Sequence, residues 1–497
     1  MNQPIQQAGA DAGKDRKGTS ILETIAAHAR ERVREAKQKI SPEEMKRLAI
    51  EKAEQEKQAG IPQFRFEKAL AGEDIHFICE VKKASPSKGL IAPGFPYKEI
   101  AESYEEAGAS CISVLTEPKW FLGSDEYLKE IAETVSLPCI RKDFIVDEYM
   151  IYEAKVLGAS AVLLIAAILD EETLKRYRET ADALGLTALV EAHDEAEIEA
   201  SLKAGARLLG VNNRNLHDFT VDIRNSMRLR KMVPPQVLFV AESGIRTAED
   251  IRQMRLGGVN AVLVGETLMR APDKKQMLEE LQGGNLPAVK ICGLTCREDA
   301  LRVNEAKPEY AGFVFAEGRR RTITPEKAAE LAEILDPEIR TVGVFVNQDP
   351  AFIVDLVNRG LLDAVQLHGQ ETTEEIERIR KQARFRNGQG LIIKAFRIEK
   401  PEDIEAANRS CADLVLLDNG AGGTGKTFDH SLLSGIQRPY VLAGGLSPEN
   451  VTDILKNQDP FERRLLYGLD VSSGVETGGT KDRCKIRDFV QAVRRKG

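Results

Sequence analysis

The sequence is short of what usually anchors a metal cluster, a nucleic acid or a membrane. Its seven cysteines stand at 79, 111, 139, 292, 296, 411 and 484 without one CxxC pair. Cys292 and Cys296 have no His or Cys set beside them, which argues against a structural zinc site. Most of the cysteines lie inside apolar runs and read as reduced core residues of a cytoplasmic protein. Positive charge is not in surplus: 70 basic against 78 acidic side chains leave a formal charge of −8, and no basic field for a nucleic acid to follow. The longest apolar run, 161–169, is far short of the roughly 20 residues that span a bilayer. The opening stretch MNQPIQQAGADAGKDRKG has no apolar core of the signal-peptide kind, and residues 1–18 read as a mobile tail.

What is there is an ordinary globular composition, 42% apolar and 30% charged, in a chain of 497 residues. That is too long for one hydrophobic core, since such cores stop growing near about 250–300 residues. After a helical lead-in at 21–40, short β-branched runs alternate with amphipathic charged stretches. The runs are HFICEVK (76–82), SCISVLT (110–116), PCIRKDF (138–144), SAVLLIAA (160–167), LTALVEA (186–192), RLLGVNN (207–213), VLFVAES (237–243) and VNAVLVG (259–265). From PAVKICG (287–293) the rhythm restarts, through YAGFVF, TVGVFVN, DAVQLHG, LIIKAF, DLVLLDN and YVLAGG to LLYGLDV (465–471).

Strict βα alternation implies parallel strands joined by right-handed crossovers. Two sets of eight, offset by about 210 residues, fit an α/β chain of two tandem (βα)8 TIM barrels. The expected domains are 19–283, with its helical extension, and 287–497, joined at the short stretch QGGNLP.

Such barrels carry their chemistry at the strand C-termini. In the first half Glu80, Lys82, Lys142, Glu191, Asn212, Arg214, Glu242 and Ser243 collect there; in the second, Cys292, His368, Asp418, Gly444, Gly445 and Asp470. Charged residues at the ends of buried strands need a partner or a function. Glu80 and Lys82, two apart on one strand face, can be a plain interior ion pair. With Lys142, Glu191, Asn212 and Arg214 added, one ion pair no longer accounts for the set, and general acid/base work on an anionic substrate does. The turns AESGI and LVGETLM after strands seven and eight stand where barrels bind phosphate through backbone N–H groups.

The ordered motifs CEVKKASPSKG, SVLTEPKWFLGS, IRKDFIVDEYMIYEA, LVEAHDEAE, GVNNRNL, VAESGI and LVGETLM resemble indole-3-glycerol-phosphate synthase over about residues 20–280. The resemblance implies decarboxylating ring closure of 1-(o-carboxyphenylamino)-1-deoxyribulose 5-phosphate. It casts Lys142 as the general acid, Glu191 as acid/base in the dehydration and Lys82 as an electrostatic and phosphate-side contact. Glu80 and Asn212 would position hydroxyls, and Ser85, Phe121 and Arg214 would line the anthranilate pocket. Ser243, Gly244, Gly265 and Glu266 would contact phosphate, Glu266 through its backbone alone. Trp120 stands where the family often has another aromatic and reads as packing.

In the second half the motifs KICGLT, FVFAEGRRRTI, VGVFVN, VQLHG, KAF, LLDNGAGGTGKTFD, LAGGL and LDVSSGVE resemble phosphoribosylanthranilate isomerase over about 287–495. The implied reaction is the Amadori rearrangement of N-(5-phosphoribosyl)anthranilate to the substrate of the first half. Cys292 would be the base and Asp418 the acid, with the thiol lowered by a positive neighbour and the carboxyl raised. Arg321 would contact the ligand, although Arg319 and Arg320 beside it leave the choice open. Gly423, Gly425, Gly444, Gly445, Ser472 and Ser473 belong to the phosphate-side loops. His368 is either a ligand contact or a barrel-end residue with a structural hydrogen bond. GAGGTGKT fits the P-loop pattern, but its setting in a βα barrel argues against ATP.

Histidine-pathway barrels would show paired aspartates, whereas this chain offers Cys292 with Asp418. A degenerate, merely ligand-binding half would lack part of its catalytic set. Neither reaction calls for a metal or a cofactor. The expected partners are small phosphorylated anthranilate sugars, without nucleic acid or membrane, and the expected state is a monomer.

Overall fold

The computed structural model describes residues 20–215, 219–386, 390–418 and 433–494. The tail expected at 1–18 and the loop glycines Gly423 and Gly425 lie outside the described residues. The chain divides into two compact units, 1–285 and 286–497.

The first unit opens with two helices whose starts are written in the sequence. Ser20 caps α1 (Ile21–Lys39) by accepting from the Glu23 amide, while the Glu23 carboxylate accepts from the Ser20 amide. Ser41 caps α2 (Pro42–Gln58), with Pro42 in the first turn. One face of α1 buries Ile25, Ala26, Ala29 and Val33.

Eight parallel strands follow: β1 (His76–Val81), β2 (Cys111–Leu115), β3 (Cys139–Lys142), β4 (Ala161–Ile165), β5 (Thr187–Ala192), β6 (Leu208–Asn212), β7 (Leu238–Glu242) and β8 (Ala261–Val264). They close into a barrel in chain order, β8 pairing with β1 from Ala261↔His76 to Val264↔Cys79. Alternation along each strand sorts two layers. Phe77, Cys79, Val81, Ile112 and Val114 pack outward in the layer shared with the helices. Ile78, Ile140, Leu189, Leu208, Val240 and Leu263 fill the interior, joined by Phe66 and Leu70 around the short helix Arg65–Ala69.

The second unit repeats the plan with β9 (Ala288–Cys292), β10 (Tyr310–Val314), β11 (Arg340–Phe345), β12 (Ala364–Leu367), β13 (Leu391–Arg397), β14 (Leu414–Asp418), β15 (Tyr440–Ala443) and β16 (Leu466–Val471). These also close in chain order, β16 pairing with β9. Two small antiparallel hairpins escape the sequence reading. One joins Ala84–Ser85 to Gly89–Leu90 just after β1. The other joins Glu476–Thr477 to Thr480–Lys481 after β16. Gly478 and Gly479 turn the second at φ +60° and +85°, the left-handed pair that a two-residue hairpin requires.

Candidate active sites

In the first barrel, the inward positions that are apolar in the strand bodies turn polar at the C-terminal ends. Two residues beyond Ile78 comes Glu80, beyond Ile140 Lys142, beyond Leu189 Glu191, and beyond Val240 Glu242. These four and Asn212 line a cavity of about 450 Å³. Lys82, Ser85, Phe121, Arg214, Ser243, Gly244, Gly265 and Glu266 line it too, so every residue expected in this half meets there.

The centre of the cavity is an ammonium between two carboxylates. Lys142 Nζ lies 2.6 Å from Glu242 Oε2 and 3.0 Å from Glu191 Oε2. Asn212 donates to the other Glu191 oxygen at 3.4 Å, and His193 Nε2 stands 3.6 Å from it. Burial alone would neutralise Lys142, yet Glu191 and Glu242 hold its ammonium above the ordinary value. Burial likewise pushes both carboxyls up. At Glu191 the cations Lys142 and His193 overcome it and the carboxyl is held low. At Glu242 burial and the neighbouring Glu191 charge prevail, and the carboxyl is raised. One cavity thus holds an ammonium, an ionised carboxylate and a carboxyl that keeps its proton toward neutrality.

Two glycines make room for these side chains. A Cβ on Gly265 would strike Glu80 Oε1 and come within 2.9 Å of Lys82 Nζ; one on Gly210 would strike Glu242 Oε1. Lys82 itself is paired with Glu80. After β7 the backbone takes two left-handed steps, Ser243 at φ +68° and Gly244 at +87°, forming a turn at the cavity wall. The Glu266 carboxylate is held by Arg270 at 3.0 Å, with Arg214 3.8 Å away.

The leader helix supplies part of the wall, which the sequence reading did not foresee: Ile21, Leu22 and Ile25 of α1 line the cavity. Arg32 anchors α1 through a two-pronged pair to Asp143, the residue after Lys142, at 2.7 and 3.1 Å. Asp143 also accepts from Thr116 at 2.7 Å and faces the buried Arg141 at 3.9 Å. Trp120 packs edge-on against His28 of α1, while Glu117 accepts from its amide and from that of Phe121. In the sequence Glu242 shows only as a strand-end residue; its inward parity, shared with Lys142 and Glu191, is the signal that links it to them.

In the second barrel Cys292 ends β9 with its side chain buried. Its carbonyl accepts from Ser472 Oγ at 2.9 Å, and Lys481 Nζ donates to the Ser472 carbonyl at 2.9 Å. Arg321 forms a fork with Glu476 at 2.7 and 2.9 Å, and Lys481 meets Glu476 at 2.9 Å. Of the three neighbouring arginines, Arg321 lies against Gly293 beside Cys292, where a Cβ would strike its Cδ. Arg320 turns to Glu476 and the Gly479 carbonyl. His368 Nε2 stands 3.5 Å from Asp418 Oδ2, and its Nδ1 is 3.3 Å from Gln366 Nε2. Gly444 and Gly445 turn left-handed at φ +87° and +68° after β15, the counterpart of Ser243 and Gly244, and Ser473 opens a short 3-10 turn after β16.

The Cys292 thiol is not lowered by a positive neighbour; burial raises it above the ordinary value, although Lys290 pulls the other way. A neutral thiol loses less than a thiolate when water is removed, and here that penalty outweighs the cation.

Residues 22–281 match the family model for indole-3-glycerol phosphate synthase, and residues 289–492 that for N-(5'phosphoribosyl)anthranilate (PRA) isomerase. The chain is 54% identical over 263 residues to an indole-3-glycerol phosphate synthase of Ruminiclostridium cellulolyticum, covering 53% of this chain and 99% of that one. It is 37% identical over 421 residues to the tryptophan biosynthesis protein TrpCF of Haemophilus influenzae, covering 83% and 85%. A multifunctional tryptophan biosynthesis protein of Schizosaccharomyces pombe is 35% identical over 530 residues, with 97% of this chain and 67% of the relative covered. The chain belongs to the bifunctional indole-3-glycerol-phosphate synthase/phosphoribosylanthranilate isomerase family, with the synthase barrel first and the isomerase barrel second.

Proposed function

We propose that the two barrels run consecutive steps of tryptophan biosynthesis through the residues assembled above. The isomerase barrel opens the ribose of N-(5-phosphoribosyl)anthranilate and makes 1-(o-carboxyphenylamino)-1-deoxyribulose 5-phosphate. The synthase barrel closes that product to indole-3-glycerol phosphate, releasing CO₂ and water.

In the synthase half the Lys142 ammonium gives a proton to the ketone oxygen as the aromatic carbon attacks. CO₂ then leaves, and its bonding electrons restore the ring. Glu191 starts ionised and takes a proton from the ring carbon between the nitrogen and the carbon that bears the new hydroxyl. It returns that proton to the hydroxyl, which departs as water. Glu80 and Asn212 orient hydroxyls, Lys82 sits on the phosphate side, and Arg214 meets the anthranilate carboxylate before it is lost. The left-handed turn at Ser243–Gly244, with Gly265, offers backbone N–H groups to phosphate.

In the isomerase half Asp418 protonates the ring oxygen and Cys292 takes the proton from C2. Arg321 faces the anionic ligand, and the turns at Gly444–Gly445 and Ser472–Ser473 take its phosphate. Free cysteines, four of them buried, support a reducing, cytoplasmic setting. Among the described residues no helix is long and apolar enough to cross a membrane. Each barrel draws its residue set from its own strands and loops, and we read the enzyme as a monomer.

The observation that carries the reading is Lys142 held between Glu191 and Glu242 in a cavity lined by every expected synthase residue. Its test is to assay both reactions in Lys142→Ala and Cys292→Ala. The first change abolishes ring closure alone and the second isomerisation alone; an isomerase that survives Cys292→Ala overturns the base assignment.

A further inference from the structure

A buried thiol used as a base needs a cation, and several charged groups face Cys292. They are Lys290 from β9 itself, Asp470 from β16, Lys481 from the hairpin after it, Arg321 from the segment after β10, and Glu476 behind the last two. Lys481 and Arg321 are both committed to Glu476, at 2.9 and 2.7 Å. Glu476 offsets part of what their charges do at the sulfur, and both cations reach it from outside β9.

Lys290 stands differently. It precedes Cys292 by two residues on β9, so both side chains point to the same face. Opposite them β10 places Gly312, the register partner of Cys292. A Cβ there would meet Cys292 Sγ at 2.8 Å and Lys290 Cε at 3.2 Å, so the missing side chain lets thiol and lysine share one space. On the other flank Asp470 is the register partner of Lys290, and its Oδ2 holds Nζ at 2.9 Å. Both side chains are nearly inaccessible to water, at 5% and 8%. Charges in such a place act with little solvent screening. Sulfur, ammonium and carboxylate form one short series across β9 and β16.

We propose that Lys290 is a positioning residue of the isomerase half: its ammonium, tethered by Asp470, is the cation that stabilises the Cys292 thiolate. Asp470 sets how much of that charge the sulfur receives. Before turnover the thiol releases its proton to solvent while Lys290 stays an ammonium; the thiolate then takes the C2 proton and becomes a thiol again. This rests on the reading of Cys292 as the base. An ion pair too remote from the sulfur to act on it would leave the thiol unmoved whichever partner is removed.

The test uses the full chain and iodoacetamide as the probe, following alkylation of the Cys292 peptide by mass spectrometry across pH. Lys290→Met moves the alkylation midpoint up by about one pH unit, so the rate below the midpoint falls about tenfold. Lys290→Arg returns it close to the parent. Asp470→Asn moves it down, because the ammonium is then left to the sulfur alone. Where Lys290→Met fails to fold with Asp470 unpaired, the double variant Lys290→Met/Asp470→Asn removes both charges and still raises the midpoint, by less. Shifts of the same sign in the two single variants, or no shift in either, overturn the role of Lys290. Isomerase activity surviving in Cys292→Ala overturns the base assignment instead, whatever the alkylation shows.

Discussion

Lys142 Nζ and Glu242 Oε2 lie 2.6 Å apart inside the synthase barrel, closer than the 3.0 Å from the same nitrogen to Glu191. Glu242 thus has first hold on the acid of the proposed reaction. Glu242→Gln keeps the shape and weakens that hold. Ring closure is expected to fall about a hundredfold, the lower part of the range for a general-acid contribution, with isomerisation unchanged. Steady-state assays of both activities on one preparation check it.

The same carboxyl gives a pH signature. Burial and the Glu191 charge raise Glu242 to about 7, against an ordinary carboxyl of 4.5. Between those values the folded chain keeps a proton that the unfolded chain has released. The stability owed to this group is present below the lower value and lost as pH rises through the upper one. Glu242→Gln removes that loss, so the difference in Tm between variant and parent grows in favour of the variant from pH 5 to pH 8.

Glu476 carries the opposite sign in the second barrel. Burial pushes its carboxyl up, but Arg321, Lys481 and Arg320 overcome this and hold it at about 2. Its stabilisation is present above the ordinary carboxyl value and lost as pH falls toward 2. Glu476→Gln is expected to flatten acid unfolding of the isomerase barrel between pH 4.5 and 2, as read by circular dichroism.

Arg32→Met leaves Asp143 buried without its two-pronged partner. Removing one member of a buried pair typically costs about 3–5 kcal/mol. Because α1 lines the cavity with Ile21, Leu22 and Ile25, the synthase KM is expected to rise, while isomerase kinetics stay at the parent level. Denaturant unfolding and assays of both reactions report the two effects separately.

Gly265→Ala tests the close approach of backbone to the Glu80–Lys82 pair. The added Cβ meets Glu80 Oε1 and Lys82 Nζ at once. A fall in synthase kcat/KM of about tenfold or more is expected, since displacing positioned groups by about 1 Å can cost two orders of magnitude. A far-UV spectrum unchanged from the parent separates this from unfolding.

The sequence by itself determined the plan of this protein. Sixteen short β-branched runs in two sets of eight, with charged amphipathic stretches between them, permit little besides two closed parallel barrels, and both barrels close in chain order. It also marked the strand ends, because a charge such as Lys142 or Glu191 at the end of an apolar run has no reason to be there on packing grounds alone. What depends on distances across the barrel was decided only by tertiary structure. Glu242 lies 100 residues from Lys142 in the chain, and no spacing rule joins them. Arg32 meets Asp143 across 111 residues, so the part of α1 in the cavity wall was equally hidden. At Cys292 the balance between burial and charge follows from the water that the fold removes and from Asp470, 180 residues beyond Lys290, which holds the nearby ammonium.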